Sequence, residues 1–255
     1  MNKIANFIKN LLQPSGRFNP RYISAYEIGA FFYCNYQPIL SFHLKKKGEK
    51  ITNKYLIRGE NIHKQIYEGE KITLDEIVKR LLADKQINLA EIPLALELGK
   101  FKIIGRVDGL NLKLENEKLI IQLIEGKSTE NIQYLQASLM EDLPLSWIMQ
   151  AFTYKVLTVG FRLDKIPIIR ENYIEIINTR GIIVNRIKLN FTVKYSNHFN
   201  NAISTFFKPN KIKSLQKVIL NSEQCENCSL REFCQKENFK EVINTWIRKR
   251  LFYKY

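Results

Sequence analysis

The chain has 255 residues, 45% of them hydrophobic, enough to bury a substantial core in one domain with or without a small appendage. Forty Lys and Arg against 25 Asp and Glu leave a net charge of +15, which favours a polyanionic partner, nucleic acid being the usual one, over a merely solvated basic surface. No apolar run approaches the roughly 18 residues needed to span a bilayer, and Met1–Phe18, interrupted by Lys9 and followed by no small-residue cleavage site, makes a poor secretory signal. A cytoplasmic protein with no membrane partner is therefore expected, and in that compartment four cysteines read as metal ligands rather than disulfides.

An amphipathic helix is expected over Asn2–Leu12. Ser24, with Glu27 three residues on, has the spacing of a capping box and opens a helix over Ala25–Tyr36 that carries Cys34. Lys45–Lys50 reads as a polar, basic turn, Arg58–Glu68 as a second helix carrying His63, and Leu74–Ala83, behind a Thr73 cap, as a third. The period then changes. Phe101–Leu112 and Leu119–Lys127 pattern as the strands of a hairpin joined by a charged turn over Lys113–Lys118. Ser146–Leu157 returns to helical spacing. Asn172–Asn178 and Ile182–Leu189 pattern as strands around Arg180–Gly181, and His198–Phe207 as a helix. The cysteine-rich segment Cys225–Cys234 precedes a basic helix over Phe239–Leu251. Strands in the middle with helices before and after imply an α/β or α+β domain.

The chemistry-bearing residues concentrate in the hairpin, in Gly105-Arg106-Val107-Asp108-Gly109 and Ile124-Glu125-Gly126-Lys127. Side chains alternate along a strand, so Glu125 and Lys127 share a face, as do Arg106 and Asp108. Pairing of the two strands would bring Asp108 near Glu125. Two carboxylates brought together repel, and a Mg2+ or Mn2+ ion relieves the repulsion by taking both as hard oxygen ligands. Such an ion would lower the pKa of a bound water and stabilise charge on a phosphate oxygen, with Lys127 placed to orient that water. The same residues also fit a solvated Glu–Lys pair at a strand edge. His63 gains meaning as a third ligand only beside these carboxylates, since a lone helical histidine is more often structural. Gln150 and Tyr154, four apart on one helix face, read either as half-buried helix surface or as a pair contacting DNA near the metal.

Cys225 and Cys228 are followed by Cys234, and Cys34 is the remaining cysteine. One remote and three close thiols make a four-thiolate set for zinc or an iron–sulfur cluster. Structural zinc more often presents two close pairs, so the arrangement favours iron–sulfur. Either metal would close a very long loop and staple the chain ends together.

Taken in order, the helical cysteine, the histidine, G-x-x-D-G, E-x-K, Q-x3-Y and C-x2-C-x5-C resemble one family over about Ile23 to Cys234. This is the CRISPR-associated RecB-like iron–sulfur nucleases, the fourth of the CRISPR-associated core proteins, within the PD-(D/E)XK superfamily. Glu91-Ile92-Pro93-Leu94 also resembles the stretch leading into that family's first active-site strand.

The resemblance implies a restriction-endonuclease-like core with a central mixed sheet flanked by helices. It implies a single nuclease domain over 1–255, in which 20–60 and 208–255 form an iron–sulfur subdomain around a 61–207 core. It implies Mn2+ or Mg2+ held by His63, Asp108, Glu125 and the Gly126 backbone carbonyl, with Lys127 as catalytic lysine and Gln150 and Tyr154 at the substrate; Arg106, on the face it shares with Asp108, is a further candidate substrate contact. A cluster, 4Fe–4S in preference to 2Fe–2S, would sit on Cys34, Cys225, Cys228 and Cys234. Family members cut DNA, typically single-stranded and often 5′-to-3′, and many trim spacer precursors for the CRISPR integrase complex. One departure is the long stretch from Tyr154 to Cys225, expected to hold extra strands and a helix. Viral, plasmid and repair iron–sulfur nucleases share the pattern, and a non-catalytic DNA-binding or assembly protein with a structural metal is the alternative from another class.

Overall fold

The computed structural model describes residues 2–12, 22–49, 54–67, 73–98, 101–163, 166–215, 223–226 and 228–251. Its first helix, α1 (Asn2–Leu12), turns Phe7, Ile8 and Leu11 inward, as the apolar spacing predicts. A short strand, β1 (Tyr22–Ser24), runs into α2 (Ala25–Tyr33) through the expected capping box: the Glu27 backbone N–H donates to Ser24 Oγ at 3.1 Å and the Ser24 N–H donates to the Glu27 carboxylate at 2.8 Å. The helix stops short of Tyr36. Cys34 leaves it in an extended conformation, and α3 (Gln37–Lys47) starts afresh with Pro38 in its first turn. Proline has no N–H to give to a helix running through it, but none is needed in a first turn. The basic turn expected from Lys45 is instead the last turn of α3, where cations suit the helix dipole, and Gly48 closes it at φ 78°. Lys50 lies outside the described residues.

Next come α4 (Lys54–Ile66), whose expected end at Glu68 also lies outside the described residues, and α5 (Leu74–Asp84), capped by Thr73 as expected. The strand β2 (Gln86–Leu98) is an addition to the sequence expectation; Pro93 argues against a strand, yet among the described residues β2 pairs with β3 (Phe101–Glu115) alone, and an edge strand tolerates proline. The hairpin from β3 to β4 (Lys118–Ser128) forms. Its turn is shorter than expected: only Asn116 and Glu117, at φ 48° and 59°, separate the Glu115–Lys118 pair, a two-residue turn matched to strand twist.

The chain continues through α6 (Ile132–Leu135), α7 (Leu145–Val159), β5 (Ile168–Ile177), β6 (Ile183–Leu189), α8 (Val193–Phe207) and α9 (Pro209–Lys213). The cysteine-rich segment holds α10 (Glu223–Glu226) and α11 (Arg231–Lys236), and α12 (Phe239–Trp246) ends in a π turn over Ile247–Leu251. The stretch after Tyr154 thus carries the extra strands and the helix expected of it, with α9 as a second, short helix.

The result is a mixed α/β arrangement with a central sheet flanked by helices. In the sheet order β1-β3-β4-β5-β6, with β2 against β3, the pairs β1–β3 and β4–β5 are parallel and the rest antiparallel. Helix α7 lies across β2 to β5 and packs against α2, which also touches β1 and β3. One hydrophobic cluster runs from Phe7 to Leu251, so both ends of the described chain share the core of the sheet. No helix among the described residues is long and apolar enough to cross a membrane.

Candidate active site

The register Gly109↔Ile124 sets Asp108 and Glu125 at the next positions of β3 and β4. Asp108 Oδ2 accepts the Gly126 backbone N–H at 2.8 Å, and Asp108 Oδ1 lies 3.3 Å from His63 Nδ1 on α4. Glu125 is only 3% exposed. Its Oε1 meets Lys127 Nζ at 2.6 Å and accepts from Gln150 Nε2 at 2.7 Å, while Oε2 is buried with no hydrogen-bond partner. Lys127 Nζ donates to Gln150 Oε1 at 2.9 Å, which closes a triangle of Glu125, Lys127 and Gln150. Gln150 Nε2 also donates to the Tyr154 hydroxyl at 3.0 Å, and that hydroxyl donates to the Arg106 carbonyl at 2.9 Å.

Two glycines let α7 come this close. A Cβ at Gly105 would stand 2.7 Å from the Tyr154 ring, and one at Gly29 of α2 would stand 2.7 Å from the Ser146 carbonyl oxygen and 3.0 Å from Gln150 Cβ. Close backbone approach of β3 and α2 is therefore what brings Gln150 and Tyr154 onto the hairpin.

Burial pushes the Glu125 carboxyl up to about 7; Lys127 pulls it down in part and Asp108 adds to the rise. A buried carboxyl with that titration, between a lysine and a second acid, marks a candidate functional site.

The sequence candidates divide clearly. His63, Asp108, Glu125, Gly126, Lys127, Gln150 and Tyr154 come together. Tyr154, 3% exposed, supports the carboxylate site from below rather than facing solvent. The Arg106 side chain leans away to Glu91 at 3.8 Å, and only its carbonyl joins the site.

Two further residues belong to the site. Tyr67, one turn beyond His63, donates its hydroxyl to Glu175 Oε2 at 2.5 Å, and its ring lies against Gly126, where a Cβ would be 2.7 Å away. Glu175 pairs with Gly126 across β4 and β5 and lies 3.7 Å from Arg186. Burial, with the Glu175 hydrogen bond, holds the Tyr67 hydroxyl far above its ordinary value. The sequence signals were a carboxylate in the apolar run Ile174–Ile177 and a tyrosine four residues after His63.

The four cysteines line a single small pocket with Tyr33, Tyr36 and Arg231 among its other walls, and none is in a disulfide. Cys34 reaches it from the end of α2 rather than from within a helix. Burial raises the Cys34 and Cys228 thiols; backbone N–H groups of Tyr36 and Gln37 offset this at Cys34, and that of Leu230 does so at Cys228. Among the described residues, no three His, Cys, Asp and Glu side chains converge tightly enough to form a ready metal-holding group. In the hairpin the donors are engaged with protein partners, apart from Glu125 Oε2.

No family model matches the chain, and no curated protein matches it. Among solved structures it is similar to one described as "Crystal structure of SSO0001", with 15% identity over 91% of this chain and 94% of that one and a TM-score of 0.42.

Proposed function

We propose that this chain is a metal-dependent nuclease of the RecB-like, PD-(D/E)XK kind that hydrolyses single-stranded DNA, with an iron–sulfur cluster on its four cysteines. The observation that carries the reading is Glu125 Oε2, a carboxylate oxygen buried without a partner beside Asp108. Leaving such a group unsatisfied is costly, and a divalent cation is the partner that suits two neighbouring carboxylates. Asp108, Glu125, His63 and the Gly126 carbonyl would hold Mn2+ or Mg2+. The ion would supply an acidified water and positive charge at a phosphate oxygen.

The chain's own residues do the rest. Lys127, held by Glu125 and Gln150 at 2.6 and 2.9 Å, keeps its ammonium directed at the carboxylate site, where it orients a water and faces the phosphate. Gln150 fixes Lys127 and Glu125 relative to each other, and Tyr154 fixes Gln150. The Gly126 N–H keeps one Asp108 oxygen turned toward β4. Surplus Lys and Arg hold the DNA backbone without reading sequence.

The common pocket of the cysteines and the N–H groups directed at two of the sulfurs fit a thiolate-held cluster, 4Fe–4S in preference to 2Fe–2S, that would staple residues 20–60 to 208–255 around the 61–207 core. Spacer acquisition with the CRISPR integrase complex and 5′-to-3′ polarity follow from the family resemblance.

The test is cleavage of an end-labelled single strand by anaerobically purified protein. Cleavage is expected with Mn2+ or Mg2+ and none with chelator, and Glu125→Ala and Lys127→Ala are each expected to lower the rate by at least about 100-fold. Full activity in either variant would remove that residue from the chemistry, and full activity in both overturns the assignment.

A further inference from the structure

Lys102 is the second residue of β3, with Tyr22 of β1 on one side and Glu97 of β2 on the other. Between two strands its stem is covered, and the residue is only 8% exposed. Its ammonium nevertheless forms no ion pair or hydrogen bond among the described residues, not even with Glu97, its partner in register. A lysine so far buried is ordinarily paired, because a charge taken out of water without a partner is costly. This one instead stands in the wall of a cavity of about 440 Å3.

A second cavity, of about 390 Å3, adjoins the first, and Asn10, Gly160 and Phe161 line both. The wall after α7 is held in place. Arg170 of β5 donates to the Thr158 carbonyl at 3.1 Å and to the Phe161 carbonyl at 2.5 Å, and the Phe161 ring meets Phe7 edge-on with centroids 6.2 Å apart. Asn6 and Asn10, four residues apart on α1, add amides to the lining. Among the described residues that line the two cavities, Lys3, Lys102 and Arg162 are cations and Glu97 is the one acid. Asp108 lies six residues further along β3, roughly 20 Å away at about 3.3 Å per residue.

We propose that this groove is an anion site, separate from the carboxylate site, that binds a phosphomonoester through Lys102, Arg162 and the amides of Asn6 and Asn10. A cleft lined by a surplus of one charge concentrates ligands of the other. A phosphomonoester brings about two negative charges at neutral pH and three acceptor oxygens, which answers both the cations and the amide donors. A carboxylate ligand would bring one charge and two oxygens. The phosphate belongs either to a free nucleotide or to the phosphorylated end of a strand. Hydrolysis of a phosphodiester leaves such a group; that link rests on the nuclease reading, and the site itself does not.

The test is isothermal titration of the full chain, in chelator and without divalent metal, with thymidine monophosphate and with thymidine. Failure of the nuclease assignment is then read separately, by the cleavage assay. Thymidine monophosphate is expected to bind and thymidine not to. Lys102→Met is expected to weaken thymidine monophosphate binding at least about tenfold and Arg162→Ala about fivefold, while Glu97→Gln strengthens it. Glu125→Ala is expected to bind like wild type. Equal wild-type affinity for the two ligands overturns the site, as does wild-type binding by Lys102→Met. Loss of binding in Glu125→Ala also overturns it, by moving the phosphate to the carboxylates. Labelled dT strands with a 5′-phosphate, a 3′-phosphate or neither identify the source: preference for a phosphorylated strand assigns a strand end, and nucleotide binding without that preference assigns a free nucleotide. Lys102→Met keeps the stem and removes an unpaired charge, so it is expected to be no less stable than wild type. If it fails to fold, Arg162→Ala and Glu97→Gln, both at exposed positions, decide.

Discussion

Gln150 bridges Glu125 and Lys127: its amide nitrogen donates to the carboxylate at 2.7 Å and its amide oxygen accepts from the ammonium at 2.9 Å. A glutamine does both at once because its amide carries a donor and an acceptor, and neither Glu nor Leu can. Gln150→Leu is therefore expected to keep the fold and the metal requirement but to lower kcat for single-strand cleavage by about 100-fold, with a smaller change in KM. Steady-state kinetics on a labelled oligonucleotide decide it. An effect confined to KM would make Gln150 a substrate contact instead of the group that sets Lys127 against Glu125.

The Glu125 carboxyl, raised by burial to about 7 from an ordinary 4.5, links stability to pH. The folded chain favours the protonated form. Its contribution is complete below the unfolded value, about 4.5, and is lost as pH rises through the folded value, about 7. In the absence of divalent metal, wild-type protein should lose stability relative to Glu125→Gln across that window, by up to about 3 kcal/mol. Urea midpoints of the two proteins at about pH 5 and about pH 8 read the difference. Parallel pH profiles would mean that Glu125 ionises without cost.

Gly126 has no room for a side chain. A methyl there would meet Tyr67 Cε2 at 2.7 Å, the Tyr67 hydroxyl at 2.9 Å and Ile177 Cδ1 at 3.0 Å. Tyr67 cannot simply swing aside, because its hydroxyl is tied to Glu175 at 2.5 Å. Gly126→Ala is expected to cost about 1–3 kcal/mol and to lower cleavage, since the same peptide joins Glu125 to Lys127. Adding Tyr67→Ala removes the obstacle, so the double variant should be less unstable than the sum of the singles. Strict additivity in thermal or chemical unfolding would show that the ring is not what excludes the methyl.

The hairpin is legible in the sequence because its information is local. Alternating apolar residues mark β3 and β4, and counting along them puts Asp108 by Glu125 and Lys127 beside Glu125. His63 and Gln150 follow once the carboxylates are taken as the centre. The rest depends on neighbours that no local pattern specifies. Tyr22–Ser24 is a strand only because Lys102–Ile104 lies beside it in parallel, and β2 contains Pro93, which only an edge position permits. Tyr67 and Glu175 meet across 108 residues, through a register between β4 and β5 set by the sheet as a whole. Arg106 reads as a substrate contact from its shared face with Asp108, yet Glu91, at φ 50° on the neighbouring strand, draws its side chain outward.

The cysteine pocket makes its own prediction. Cys34 comes from the end of α2 and the other three from the segment around α10 and α11, so a bound cluster would join parts of the chain nearly two hundred residues apart. Anaerobically purified protein is expected to absorb in the visible range, as iron–sulfur thiolate centres do. Cys34→Ser is expected to lose most of that absorbance and to unfold at lower temperature, because the long loop is no longer closed. A colourless protein with one bound zinc would assign the pocket to a structural zinc site, and one with no metal would remove the cluster.

The chain ends are also joined without any metal. Arg250, 3% exposed, sets Nη2 2.6 Å from Glu27 Oε1 and its guanidinium 4.1, 4.3 and 4.9 Å from the rings of Tyr22, Phe42 and Trp246. Glu27 is the same residue that closes the capping box of α2, the helix that delivers Cys34. Arg250→Met fills the aromatic slot but strands the Glu27 carboxylate, and breaking a buried pair from one side costs about 3–5 kcal/mol. Glu27→Gln in the same chain removes the stranded charge and should restore much of the loss. Arg250→Lys should not, since an ammonium cannot stack in the slot and reach both Glu27 and the Tyr22 carbonyl as the planar fork does. Chemical unfolding of the three variants separates a charge effect from a packing effect: if Arg250→Met alone unfolds within about 1 kcal/mol of wild type, the ion pair does not clamp the ends and the aromatic contacts carry the join.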